Sequence, residues 1–446
     1  MASGGVLSRP LIDGEYADGV ARCGRGSNHD AYTPRALFLG PDFLPGGGGG
    51  LALALDDVCL ALRQRGWIVV RPSLGSGRAD GESAAPYLLP RLLTDGLRST
   101  AVIRLYSRLP TRFRRWAVNL LRPAHFFERQ SAILAVAESQ LRSGDYDVVL
   151  VCSVPIHQSP GLLRLATSLH RCVVAISLTA LPDEFRYKWL WATVRVVARM
   201  RTRRICHSSL GRPVEPEALR HAVFASTAWR RAALRAGLLP ERASTIYFGV
   251  TVPPSVVRGA WRNRLLWVGR LSPEKGLHEL LRALPAVRAR VPGITLTAIA
   301  AQGPRSYDRL INRLLVDNAS SVSLLSARPR SALQDVYGEH DALVFYSVFE
   351  EPVALVVLEA FGAGLPVIAT RPRTREGPLR EEETCLCFDS TEPDSLARAV
   401  ERLRADEALR ARLTHRAREV VLSEFSLDRM GATYDALLRD LIHSRR

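Results

Sequence analysis

Arg270 and Lys275 stand five residues apart in the segment GRLSPEKG (residues 269 to 276). A planar guanidinium fork beside a mobile ammonium suits a diphosphate better than a single carboxylate, because the fork grips two oxygens while the point charge follows another phosphate. Lys275 is one of two lysines among 61 Lys and Arg residues, the other being Lys188. A lysine that persists against so strong an arginine bias points to a need for compact charge. A cation at a helix start is also unfavourable against the helix dipole unless an anion lies there. Glu351 and Glu359, separated by seven residues in EEPVALVVLEAFGAGLPVIAT (350 to 370), form a second group, the first in a loop and the second within a helix. Carboxylates in a sheet-end crevice accept hydrogen bonds from sugar or ribose hydroxyls. The same pair fits a glycoside-hydrolysis dyad, a reading that does not explain the neighbouring cations. A third candidate is the glycine run PGGGGG (45 to 50), ending in Gly49 and Gly50, which opens a helix where free N–H groups attract anions and ligands can approach closely. It lacks the G-x-G-x-x-G pattern and the Walker lysine, and a flexible linker is its alternative. His157, in SVPIHQSP, offers a polar group after a strand, or serves only structure.

Each of these groups sits where a strand hands over to a helix. ALFLG (36 to 40), helical LALALDDVCLALRQRG (51 to 66) and WIVVRP (67 to 72) make a strand, helix, strand unit. Further strands are expected at 146 to 154, 172 to 178, 222 to 226 and 244 to 249, with a helix from about 159. After the proline-bearing stretch 250 to 263 the rhythm restarts with RLLWVG (264 to 269). Helices near 275 to 290 and 304 to 316 follow, with strands at 294 to 300, 341 to 346 and 366 to 370. The alternation predicts an α/β protein of two Rossmann-like, doubly wound parallel sheets facing across a cleft, with ligand at the carboxyl ends of the strands. The expected organisation is a loose tail over 1 to 33, a first Rossmann-like domain over 34 to 250 and a linker over 251 to 263. A second Rossmann-like domain over 264 to 426 and a final helix over 427 to 446, packing back on the first domain, complete it.

Composition is compatible with this plan and narrows the setting. The 446 residues are 47% hydrophobic and 24% charged, ample for two cores. No apolar run reaches about 18 residues, and the first residues lack the apolar core of a signal peptide. Seven scattered cysteines give no disulfide framework and no pair of pairs at metal spacing; Cys385 and Cys387 are expected to be core thiols in a reducing cytoplasm. Of the formal charge of +17, the first 250 residues hold 33 Lys and Arg against 19 Asp and Glu, while the rest hold 28 against 25. Residues 104 to 129 and 186 to 204 interleave arginines with Phe113, Trp116, Phe126, Trp189 and Trp191, a mixture suited to a solvated helix face or to an acidic partner.

The second-half motifs resemble those of the retaining family-4 glycosyltransferases of GT-B fold. GRLSPEKG is followed by Glu351, seven residues, Glu359 and AFGAGLPVIAT, in an order that holds from ALFLGPDFLPGGGGG through TIYFGV to EPDSLARAVERL, about residues 35 to 445. The resemblance implies that Arg270 and Lys275 hold the donor diphosphate, Glu359 the ribose and Glu351 the transferred sugar. Gly269, Ala354 and Leu355 would line the same donor site, while Gly49 and Gly50, with His157, would border the acceptor and the reacting centre. Three positions depart from the family's pattern. Val353 and Ala354 replace the usual Phe-Gly, Leu178 stands where a histidine is frequent, and Phe248-Gly249 replaces Asn-Gly.

The implied reaction is transfer of a glycosyl group from a UDP- or GDP-sugar to an acceptor with retention of configuration. No cofactor and no obligatory metal are expected, since cations aimed at the departing diphosphate stabilise the charge that grows there. The basic first half suggests an acidic or lipid-linked acceptor and peripheral contact with the inner face of a membrane, against a small neutral acceptor. Two rival classes are an inactive homologue that binds a partner, raised by the departures, and a nucleic-acid-binding protein. The latter lacks a recognisable module, so no nucleic acid is expected.

Overall fold

The computed structural model describes residues 32–40, 50–72, 124–153, 160–177, 219–235, 238–254, 259–301, 305–347, 353–372, 376–392 and 394–444. The expected tail, apart from Tyr32 and Thr33, lies outside them, and so do the arginine-rich stretches 104–123 and 186–204. Two six-stranded sheets, parallel throughout, organise the chain. The first contains β1 (Arg35–Leu39), β2 (Ile68–Val70), β3 (Val148–Ser153), β4 (Val173–Ser177), β5 (His221–Phe224) and β6 (Ala243–Thr245), in the order β2-β1-β3-β4-β5-β6. The second contains β7 (Arg264–Arg270), β8 (Thr295–Ala301), β9 (Val322–Ser326), β10 (Ala342–Phe345), β11 (Val367–Thr370) and β12 (Leu386–Phe388), in the order β12-β11-β10-β7-β8-β9.

Most of these strands form where they do because they are short, nearly unbroken apolar runs, as a parallel sheet covered on both faces requires; the edge strands β6 (AST) and β9 (VSLLS) are the exceptions. Residues 148 to 152 of β3 and all of β10 are buried. The helices that cover the sheets carry one apolar face each. On α1 (Gly50–Arg63), Ala54, Leu55, Val58, Cys59, Ala61 and Leu62 point inward while Leu53, Leu60 and Arg63 face out. The other described helices are α2 (Ala124–Ser143), α3 (Pro160–Leu169), α4 (Thr227–Arg235), α5 (Leu277–Arg290), α6 (Arg305–Asp317), α7 (Arg330–Glu339), α8 (Leu355–Gly362), α9 (Ser395–Ala405), α10 (Glu407–Glu424) and α11 (Leu427–His443).

The run STIYFG was expected to be a strand throughout, but β6 ends at Thr245. The Ile246 amide still donates to the Phe224 carbonyl at 3.0 Å, after which the chain turns away from the sheet. It crosses to the second sheet at Val250, and returns at Ser426. The two crossings run side by side, with the Val250 amide donating to the Phe425 carbonyl and the Leu427 amide to the Val250 carbonyl, both at 2.9 Å. Gly249 is required there, because a Cβ would sit 2.4 Å from the Ser426 carbonyl oxygen.

After the return, Ser426 caps α11 by accepting from the Arg429 amide at 3.2 Å, a contact that satisfies one of the orphan donors of a helix start. The helix then packs Met430, Tyr434 and Leu438 into the core shared with Leu55, Val58 and Leu62 of α1. Gly431 permits this approach, since a Cβ would lie 2.8 Å from that of Ala61. Residues Pro34–Arg446 make up one compact unit.

Candidate active site

Strand order reverses in the second sheet between β7 and β10, and a crevice opens at the carboxyl ends of the strands on either side of such a switch point. The two charged motifs leave from these two strands. β7 ends at Gly269 and Arg270, with Arg270 exposed, and a 3-10 turn over Pro273–Lys275 follows. The turn is held from below: the Trp267 indole N–H donates to the Lys275 carbonyl at 3.2 Å. Gly269 leaves room for that indole, since a Cβ there would come within 2.9 Å of the ring.

Gly276 then adopts the left-handed conformation, φ 69°, and α5 begins at the next residue. A side chain is excluded there on two grounds. Left-handed backbone is strained for L-residues, and a Cβ would lie 2.6 Å from the Tyr346 ring and 2.8 Å from its carbonyl oxygen. Because Tyr346 directly follows β10, this close approach seats the Lys275 turn against the exit of the strand that leads to the second motif. Lys275 thus lies in a separate turn before α5, and not in the first turn of the helix itself.

After β10 the described chain resumes at Val353. Ala354 is buried in extended conformation at the start of α8, Leu355 opens the helix half-buried, and Glu359 is 5% exposed. Gly50 is the first residue of α1. Glu351, Gly49, His157 and Leu178 fall outside the described residues. β1 and β3, which precede the glycine run and His157, are paired neighbours at the switch point of the first sheet.

The surroundings of Glu359 differ from a carboxylate simply open to a cleft. The Arg330 Nε lies 2.6 Å from Oε1, and the Tyr337 hydroxyl donates to Oε2 at 2.8 Å. Arg330 is the first residue of α7 and reaches in the other direction to Asp57 of α1, its Nη1 lying 2.7 and 2.6 Å from the two carboxylate oxygens. Burial pushes the Glu359 and Asp57 carboxyls up from their ordinary range, against the opposing pull of the Arg330 cation. Burial and the Glu359 charge drive the Tyr337 phenol well up, so it stays a donor. Arg330, Tyr337 and Asp57 were not among the residues expected at the site. The signal available for Arg330 was the one used for Lys275, a cation at a helix start where the dipole disfavours it.

A second contact joins the two halves. Glu376, beyond β11, accepts from the backbone amides of Thr227 and Ala228 at the start of α4, the latter at 2.9 Å, and from the Tyr247 hydroxyl at 3.1 Å. Burial opposes ionisation of Glu376, but the bonds from Thr227, Ala228 and Tyr247 outweigh it and hold its carboxyl below the usual range.

Close by Lys275, Glu279 on α5 lies 3.3 Å from the His278 Nε2. Hydrogen bonding from His278, helped by Arg282, brings its carboxyl down to about 2. Among the described residues no helix is long and apolar enough to cross a membrane.

The family model of glycosyl transferases group 1 matches residues 258–420. The chain is 30% identical over 171 residues to the lipopolysaccharide core biosynthesis glycosyltransferase LpsE of Rhizobium meliloti, covering 38% of this chain and 48% of that one. It is 33% identical over 224 residues to the D-inositol 3-phosphate glycosyltransferase of Corynebacterium glutamicum, covering 46% and 53%. It therefore spans about half the length of the curated relatives it matches. Among solved structures, Anabaena HepE in complex with UDP-glucose superposes with a TM-score of 0.58 at 16% identity, covering 91% of this chain and 99% of that one. Residues 258–420 thus carry the match to the glycosyl transferases group 1 family model, and the two-sheet architecture is the GT-B fold.

Proposed function

We propose that this protein transfers a glycosyl group from a nucleoside diphosphate sugar to an acceptor, with retention at the anomeric carbon. The observation that carries the reading is the convergence of the Arg270–Lys275 turn and the α8 entry at one switch point, sealed by the approach of Gly276 to Tyr346. In this reading Arg270 and Lys275 hold the diphosphate beside Gly269, Ala354 and Leu355, Glu359 takes the ribose and Glu351 the transferred sugar. Negative charge grows on the diphosphate as the glycosyl bond breaks, so the two cations stabilise the transition state more than the bound donor, and no divalent ion is needed for that task. Gly49, Gly50 and His157 border the acceptor on the side of the first sheet. UDP-sugars head the donors to test, because HepE is seen with UDP-glucose. An anionic acceptor agrees with the basic first half and with a relative named for D-inositol 3-phosphate, and if it is lipid-linked it brings with it contact at the inner face of a membrane.

Turnover of UDP- and GDP-sugars by substituted proteins tests the assignment. Lys275→Ala lowers turnover by more than about 10-fold and Lys275→Arg recovers only part, since a fork does not reproduce a point charge. Glu359→Ala weakens binding of the free nucleoside diphosphate, whereas Glu351→Ala spares it and impairs the sugar-bearing donor. Unchanged turnover in Lys275→Ala would overturn the role given to Lys275, and absence of any transfer or hydrolysis by the unsubstituted protein would favour a partner-binding homologue without activity.

A further inference from the structure

We propose that Asp57, on the first helix of the first half, is a positioning residue of the nucleotide site in the second half, acting through Arg330 on the orientation of Glu359. This rests on the ribose role given to Glu359 above. Glu359 Oε1 is ion-paired with Arg330 Nε at 2.6 Å, and Oε2 accepts from the Tyr337 hydroxyl at 2.8 Å. A carboxylate has about four lone-pair sites, so at least one is left on each oxygen, which matches the paired hydroxyls of a ribose.

An arginine facing a carboxylate ordinarily grips both of its oxygens with two parallel N–H donors. Arg330 meets Glu359 through Nε at 2.6 Å, while its Nη1 is committed to both oxygens of Asp57 at 2.7 and 2.6 Å. Asp57 thereby fixes the roll of the guanidinium plane and keeps it from closing over the positions that the ribose must use. Its carboxylate is itself only 9% exposed, and no other cation is bonded to it among the described residues. Asp57→Asn keeps the shape but removes the charge and turns one acceptor into a donor. The guanidinium then rotates onto Glu359 as a two-point fork and competes with the ribose. Since α1 covers the first sheet while α7 and α8 cover the second, the nucleotide site reads, through this link, whether the halves are docked.

The test is calorimetric binding of UDP, GDP and their 2′,3′-dideoxy counterparts. The wild type should prefer the ribose form by about 10-fold or more, the order expected from two hydrogen bonds to a charged acceptor. In Asp57→Asn this preference should shrink towards unity while affinity for the dideoxy form holds. In Asp57→Asn/Arg330→Gln, which removes the competing fork and keeps the pair balanced in charge, the preference should return. That rescue also guards against a folding defect, because it is read as a ratio between two ligands on one protein. An undiminished preference in Asp57→Asn, an equal loss for both sugars, or no return in the double variant would overturn the proposal. A wild type without the preference, or a Glu359→Gln variant that keeps it, would instead overturn the ribose role of Glu359 itself.

Discussion

Replacing Glu376 by alanine should loosen the start of α4 and weaken the hold between the two halves. The carboxylate accepts from the Thr227 amide, from the Ala228 amide at 2.9 Å and from the Tyr247 hydroxyl at 3.1 Å. Loss of a helix cap costs about 1 kcal/mol, and hydrogen bonds to a charged group are worth roughly 1.5–3 kcal/mol. The half-exposed site lets water replace part of the loss, and Ser226 Oγ still accepts from the Trp229 amide at 3.3 Å. The expected net cost is therefore about 2 kcal/mol, towards the low end of those ranges. Amide hydrogen exchange at Thr227 and Ala228 reads this directly, since about 2 kcal/mol corresponds to roughly 30-fold faster exchange. The sign of the pH dependence is fixed by the lowered carboxyl of Glu376. Its contribution is fully present above the ordinary glutamate range and fades as pH falls through the lower folded value, so wild type and Glu376→Ala should converge in acid. Glu376→Gln, which keeps one acceptor oxygen, should lie between them. Unchanged exchange at Thr227 and Ala228 in Glu376→Ala, or a gap that persists undiminished into acid, would refute the reasoning.

Two further outcomes are open to measurement. His221 on β5 has Nε2 2.8 Å from Ser244 Oγ, and burial, with Arg220 and Arg230 nearby, lowers its pKa to about 4. Between that value and about 6.5 the unfolded chain binds the extra proton, so stability falls as pH falls through this window. His221→Gln should flatten the fall by on the order of 2 kcal/mol in urea titrations at pH 7 and pH 4.5, and an identical slope in the variant would count against it. Sedimentation with vesicles tests the membrane contact: binding should rise with anionic lipid and fall with salt, which screens over about 10 Å at 0.1 M. No binding to anionic vesicles at low salt would leave the first-half arginines as a solvated face.

Much of this protein is written locally. The central parallel strands are legible because a strand covered on both faces must be a continuous apolar run, as in VVLVCS and ALVF. The strand that leads to Lys275 is legible in the same way, but the turn that carries Lys275 is not: a helix is expected from about residue 275, and Gly276 in the left-handed conformation instead separates Lys275 from α5. One strand escaped: β9 is an edge strand whose residues are all partly or fully exposed, too little one-sided burial to impose a pattern on its sequence, whereas the strand expected around Cys385 and Cys387 is β12. The partners of the predicted carboxylates were hidden for a different reason. Arg330 meets Asp57 across 273 positions of chain, and Glu376 meets Thr227 across 149. No periodicity records such a pairing, because it arises only where the two sheets are brought together by the crossings at Val250 and Ser426. Sequence alone determined which residue types gather at the strand ends; the packing of one half on the other decided what each buried charge must face.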